Sequence, residues 1–272
     1  MSEWNGMTFE AKDTMLRVVG EQAQGMFAMA EVPANWETQT ASAEWQVRDV
    51  IGHLVDVTEG YFTAFDTARS GGQAGDAYGV TGMAVRANDQ AQAFRKIPQA
   101  DLMDRVRADQ AKMMGILEGL SEDDWSNLIV PHFYMGPLPS FFYPAFQLMD
   151  YGVHSWDIRQ GLGRAHGLDG ETADLLVPFM FVMWQSTAYP QETKDEFQAG
   201  IKITSGNNAG GTRLRVAPEG ISAEPGRVDD LPVVFEFDPS SFVLTVFGRV
   251  NAGTYRGDPA LADRFLNLFF RV

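Results

Sequence analysis

Apolar residues recur at helical spacing up to about Gly163, and short β-rich runs between turn residues take over after about Gly200. The first stretch predicts a helix from about Phe9 to Val32, with Met15, Val18, Val19, Met26 and Phe27 inward and Pro33 closing it. A second helix starts near Trp45. Its stripe is Val47, Val50, Ile51, Leu54, Tyr61, Phe62 and Phe65, and Arg69-Ser-Gly-Gly ends it. A glycine-rich loop, Gly71 to Gly82, leads into a short helix around Met83 to Phe94. A third long helix covers about Asp101 to Leu120, burying Leu102, Val106, Met113, Leu117 and Leu120. A fourth runs from about Ser140 to Gln160, with Gly161 and Gly163 suited to its C-terminal cap. Four long helices and one loop-rich crossover predict a four-helix bundle.

The rest of the chain predicts a smaller α+β domain. Residues 171–192 form a helix that ends near Tyr189-Pro190. Strand-like runs follow at Gly200–Thr204, Thr212–Ala217, Pro232–Phe237 and Phe242–Arg249, with Gly206-Asn-Asn-Ala-Gly-Gly as a turn between the first two. Asp258-Pro259 opens a final helix, Asp as N-cap and Pro at the first position. The expected sheet is antiparallel, with a helix at each sequence end of the domain. The boundary falls near Arg164 to Gly170, giving domains 1–165 and 166–272.

Composition narrows the function classes. A chain of 272 residues, 45% hydrophobic and 21% charged, is an ordinary globular protein with a sizeable core. Its net charge of −15 argues against nucleic acid or an anionic membrane as a partner held by the overall field. Cysteine is absent, so thiol chemistry must use a thiol brought in from outside. The opening Met-Ser-Glu-Trp-Asn is not a secretory signal, and the longest nearly apolar run, Leu175 to Trp184, is interrupted by Pro178. A soluble, cytoplasmic protein is expected.

There are 4 histidines: His53, His132, His154 and His166. Asp150 and His154, four apart in the fourth helix, project from one face a turn apart, and Asp157 follows three residues later on nearly the same face. A carboxylate and an imidazole so placed can chelate one divalent ion, with His53 as a third ligand from across the bundle. Three protein ligands leave a tetrahedral ion one open position, the catalytic type of site. Nitrogen and oxygen ligands suit zinc, with nickel, iron or manganese as alternatives. Spacing alone more often means a hydrogen-bonded histidine and a surface acid pair. Two features weigh against that. His53 borders its apolar stripe beside Asp49 and Asp56, and the Asp150 face sets two acids and a histidine in a mostly apolar helix, where buried charge requires a partner. Asp157 reads either as a hydrogen-bond partner of a ligand imidazole or as a plain surface acid. His132, in Pro131-His-Phe-Tyr-Met-Gly-Pro, could reach a pocket but reads more readily as a surface-loop residue, and His166 reads as exposed linker. Met83, Met113 and Met114 read as core filler, and Gly71–Gly82, without the Lys-Ser/Thr ending of a phosphate loop, as a flexible cover.

Trp45-Gln-Val-Arg-Asp-Val-Ile-Gly-His53 resembles the second-helix motif of the DinB-like metalloproteins and, more narrowly, of the mycothiol-dependent maleylpyruvate isomerase family. Asp150-Tyr-Gly-Val-His154-Ser-Trp-Asp157-Ile, then Gly161-Leu-Gly163, is similar to that family's fourth-helix signature. Phe247-Gly-Arg249, then Gly257-Asp-Pro-Ala-Leu-Ala, resembles the sterol-carrier-like C-terminal domain of many members. The resemblance implies a DinB-like bundle carrying one divalent ion, usually zinc, with His53 the first ligand and His154 the last. The isomerase has Glu where this chain has Asp150, a residue one methylene shorter that related branches also carry. Arg249 matches an arginine that the family turns toward the site to hold a substrate carboxylate.

The implied chemistry is that of a low-molecular-weight thiol of mycothiol type. A free thiol, pKa about 8.5, is mostly protonated at neutral pH, and coordination to a dication deprotonates it. Addition of the thiolate to an activated double bond, rotation and elimination would make an isomerase. Transfer of the thiol to an electrophile would make an S-transferase. The partners expected are a small-molecule substrate and the thiol. Two other readings stay open, a hydrolase in which the ion activates water and a carrier that is not an enzyme.

Overall fold

The computed structural model describes residues 2–73, 75–164 and 166–269. The chain divides into two compact units, one spanning Gly6–His166 and the other beginning at Gly167 and taking in Glu3–Asn5.

The first unit is helical. Its elements are α1 (Lys12–Ala30), α2 (Val47–Ser70), α3 (Gly79–Ala93), α4 (Gln99–Glu118), α5 (Glu122–Asn127), a hairpin of β1 (Ile129–His132) and β2 (Gly136–Pro139), and α6 (Phe142–Gly161). The four long helices are α1, α2, α4 and α6. α1 packs on α6 and α4, while α2 carries α3, α4 and β1 along its length. α1 is shorter than its apolar pattern because Phe9–Ala11 forms a 3₁₀ turn ahead of it. At the other end Val32, before Pro33, is held extended. α2 opens with a capping box between Gln46 and Asp49 and closes on Gly71 at φ 66. α3 begins at Gly79, not Met83, so it takes up the end of the glycine-rich loop. Ala74 of that loop lies outside the described residues. α5 and the hairpin were not anticipated. Ser121 and Asp124 form the capping box that starts α5, and Pro131, Pro137 and Pro139 disguise two strands of a small two-stranded sheet.

α6 ends differently from expectation. Gly161 is its last helical residue, and Gly163 takes the left-handed conformation at φ 71. Gly161 is there for space, because a Cβ on it would sit 2.0 Å from the Gln39 carbonyl oxygen. Every residue of α6 from Phe142 to Ile158 is buried.

The second unit opens with α7 (Gly170–Thr187). A five-stranded sheet follows, ordered β5-β4-β3-β6-β7, from β3 (Phe197–Ile203), β4 (Gly210–Ala217), β5 (Gly220–Pro225), β6 (Val233–Phe237) and β7 (Thr254–Gly257). β3 and β6 pair in parallel, with Gly200 opposite Val234, so the expected antiparallel sheet is a mixed one. The parallel pair requires the chain to cross from the β5 edge to β6 within 226–232. Val228 and Leu231 of that crossover pack over Gly200, where a Cβ would stand 2.7 Å from Val228, so the bare backbone of β3 is what admits it. α8 (Pro239–Val246) corrects the strand expected at Phe242–Arg249. Asp238-Pro239 is the same N-cap and first-turn pair that marks α9 (Pro259–Leu266), and the Asp238 carboxylate accepts the Ser241 amide at 3.1 Å. Phe242 then packs edge-on to Trp184 of α7 at 5.3 Å. β5 and β7 went unpredicted because both are edge strands with largely exposed, polar or small residues.

Candidate metal centre

His53 comes from α2, whose apolar stripe turns it inward, and Asp150, His154 and Asp157 come from α6, which has no exposed face. One nitrogen from each histidine and one Asp150 oxygen lie within 4.8 Å of one another, and all three residues are buried. The His53 Nε2 to Asp150 Oδ1 distance is 3.9 Å. The His53 and His154 rings stand edge to face with centroids 5.2 Å apart. Trp45, just before α2, covers both rings at 4.8 and 5.5 Å, and its indole N–H donates to Asn88 of α3.

Asp157 is completely buried, and its Oδ2 lies 2.9 Å from His154 Nδ1, so it is not a surface acid. This hydrogen bond engages Nδ1 of His154 and fixes the orientation of its ring. Among the described residues His53 Nδ1 is buried without a hydrogen-bond partner. Two imidazoles and a carboxylate from facing helices, closed off from solvent, are a donor set for zinc or another borderline divalent ion. Bound to three of them, such an ion has an open position.

The other two acids near His53 in sequence are committed elsewhere. Asp49 caps α2 by accepting the Gln46 amide at 2.8 Å and accepts from Arg95 Nε and Nη2, each at 2.7 Å. Asp56 takes Arg86 at 2.7 and 3.2 Å, and Arg86 also donates to the Tyr134 hydroxyl. Each ion pair ties α2 to the segment after it, α3 and its 3₁₀ extension.

His132 is buried, not a surface-loop residue. It ends β1, and its Nδ1 accepts the backbone N–H groups of Tyr134 at 3.3 Å and Met135 at 3.1 Å. Its ring stacks on Phe146 at 4.5 Å and meets Tyr61 at 5.7 Å. Burial pushes its pKa down to about 4, although Asp150 pulls the other way. Burial and the Asp150 charge raise Tyr61 well above the usual phenol range. Spacing could have found Tyr61, which follows His53 by eight residues on the same stripe. Nothing in the sequence announced His132, because the contacts that enclose it come from α2 and α6.

The remaining candidates lie outside this cluster. His166 is half-buried, and its carbonyl accepts the Trp156 indole N–H at 2.8 Å. Met113 is core, whereas Met83 and Met114 are half-buried. Arg249 belongs to the second unit. It follows α8, at a turn where Gly248 has φ 71, and its guanidinium lies over the Phe247 ring at 5.1 Å. The strand end expected there is a helix end.

The profile of the mycothiol maleylpyruvate isomerase N-terminal domain matches residues 20–159, more than half of the chain. The chain belongs to this family. His53, Asp150, His154 and Asp157 all fall inside the match. Two solved structures, a mycothiol-dependent maleylpyruvate isomerase and a single-residue mutant of it, each share the fold with a TM-score of 0.60 at 14% identity. Each alignment covers 91% of this chain and 95% of the other. The colibactin self-resistance protein ClbS, solved with duplex DNA, aligns over 57% of this chain at 11% identity with a TM-score of 0.48, too low to carry an argument. No curated protein matches the chain in sequence. Among the described residues no helix is long and apolar enough to cross a membrane.

Proposed function

We propose that this family member is a metal-dependent enzyme that activates a low-molecular-weight thiol of mycothiol type, as an isomerase or S-transferase acting on a small electrophile. The observation that carries the reading is the buried His53, Asp150 and His154 cluster on facing helices. Zinc held by these side chains supplies a Lewis acid that favours the thiolate over the thiol. His53 and His154 would each offer a ring nitrogen and Asp150 one carboxylate oxygen, and Asp157, hydrogen-bonded to His154 Nδ1, would orient that ring. The chain has no cysteine to compete for the ion, so the only thiol available to it arrives from outside. The reading includes a sterol-carrier-like second unit whose Arg249 holds a substrate carboxylate. It also includes a cytoplasmic location, where small thiols stay reduced.

The test is cobalt substitution. Protein stripped and reloaded should hold about one ion per chain by elemental analysis. A low-molecular-weight thiol, mycothiol first, should then raise a near-ultraviolet sulfur-to-cobalt charge-transfer band. Arg249→Ala should keep the band and lose use of carboxylate-bearing substrates. Hydrolysis of esters or amides without thiol, in a protein whose cobalt spectrum no thiol perturbs, would replace this reading with the hydrolase. An ion that supports neither chemistry would favour the carrier.

A further inference from the structure

The two histidines of the cluster are held in different ways. A hydrogen bond orients the His154 ring, whose Nδ1 lies 2.9 Å from Asp157 Oδ2. Among the described residues His53 Nδ1 has no such partner, although it is buried. The other ring nitrogen, Nε2, stands 3.9 Å from Asp150 Oδ1, beyond hydrogen-bond reach. A histidine side chain turns about two bonds, and its second torsion is broad. In a ligand histidine this freedom is usually removed by tying the second nitrogen to a carboxylate or a carbonyl. For His53 the restraint has to come from packing.

Trp45 is placed to supply it. Its indole lies 4.8 Å from the His53 ring and 5.5 Å from the His154 ring, tilted to them by 40° and 46°. The imidazoles stand edge to face at 5.2 Å, so the three rings close a triangle in which none turns without displacing another. The tryptophan is itself pinned at both ends. Its indole N–H donates to Asn88 Oδ1 on α3 at 3.1 Å. Its backbone carbonyl accepts the Thr40 amide at 2.9 Å, the Thr40 hydroxyl at 2.7 Å and Gln39 Nε2 at 2.8 Å. Gln39 and Thr40 rest against Gly161, on the helix that carries His154. The indole is thus fixed relative to both α3 and α6.

We propose that Trp45 is the positioning residue of the centre: its indole, anchored by Asn88, holds the His53 ring facing His154 and Asp150 before any ion is present. Trp45 does for His53 what Asp157 does for His154. An indole combines a face broad enough for two rings with an N–H that can be anchored. A ring already oriented gives up little rotamer freedom on binding, and the gain appears as affinity. The inference rests on the metal reading above, but the ring arrangement can be observed in metal-free protein.

The test uses protein labelled with ¹³C in its 4 histidines. In the metal-free parent a nuclear Overhauser effect should connect the His53 and His154 ring protons. Trp45→Leu fills space without a flat face or an N–H. It should weaken that effect and broaden or double the His53 signals, while His154, still held by Asp157, stays sharp. Asn88→Ala, at a half-buried position, leaves the indole in place but unanchored and should give the same change in smaller measure. Gln92→Ala removes only a second donor to Asn88, at 2.8 Å, and should match the parent. Zinc affinity, read by chelator competition, should fall about 10–100-fold in Trp45→Leu, the usual effect of losing a group that orients a ligand histidine. It should fall less in Asn88→Ala, with circular dichroism unchanged in both. A merely structural tryptophan would lower the urea midpoint and leave the ring signals and the zinc affinity of the folded protein as they were. Ring signals unchanged in both variants overturn the proposal, and so does zinc affinity that falls while the His53 ring stays fixed. If Trp45→Leu does not fold, Asn88→Ala decides by the same signals. If the parent binds no zinc, the metal reading fails, and the metal-free spectra still decide whether Trp45 positions the ring.

Discussion

Asp157 shows how much of the proposed centre depends on a residue that would not touch an ion. It has no solvent exposure, and the His154 ring is its hydrogen-bond partner at 2.9 Å. Asp157→Asn keeps the shape and removes the charge, so zinc affinity should fall about 10–100-fold, read by competition with a chromophoric chelator. His53→Ala should lose most of the zinc outright. His132 gives a second prediction at this scale. Its pKa is held near 4 in the folded protein and stands near 6.5 in the unfolded chain, so between these values the unfolded state binds the extra proton. The stability that neutral His132 allows is whole above about pH 6.5 and is lost as pH falls toward 4. The urea midpoint should drop between pH 7 and 5, and by less in His132→Phe, which has nothing to protonate there. The spacing of Asp150, His154 and Asp157 was legible in the sequence because a helix converts three- and four-residue intervals directly into proximity. The enclosure of His132 was not, since Tyr61 and Phe146 reach it from positions far away in the chain.

Elements were legible where period and punctuation agreed. The four long helices of the first unit declared themselves by stripes ending at Pro33, Gly71 and the glycines after Gln160. The error at Phe242–Arg249 came from trusting composition over punctuation. Phe242, Val243, Leu244 and Val246 favour strands, but Asp238-Pro239 sets a helix start, and α7 offers Trp184 and Phe181 for Phe242 to pack against. If the cap is what tips this short helix, Asp238→Ala should lower stability by about 1 kcal/mol, or roughly 2–4 °C in melting temperature. A control at Ser240 would not serve, because its hydroxyl accepts the Leu168 amide. The mixed sheet was equally hidden. The β3–β6 pairing depends on a crossover whose passage needs the missing side chain of Gly200, and a glycine in a strand pattern does not say what will approach it.

Across the whole molecule, the acidic balance of −15 and the lack of cysteine narrow the possible partners without naming one. The family assignment comes from the helical unit alone, since the matching profile stops at residue 159. Zinc that binds only the folded protein should raise its unfolding free energy by about 2.7 kcal/mol at a free concentration one hundred times the dissociation constant. Calorimetry with and without a chelator should register this in the parent and not in His53→Ala. Seventeen consecutive buried residues of α6 bear on how fast the centre fills. A helix with no outer face has no local route to open, and its amides exchange with water only in rare, large-scale openings of the bundle. Asp150 and His154 therefore keep their separation for as long as the bundle stays folded. At the proposed centre metal uptake would then be the filling of a seat already in place, paced by diffusion and by proton release from the ligands, and independent of refolding.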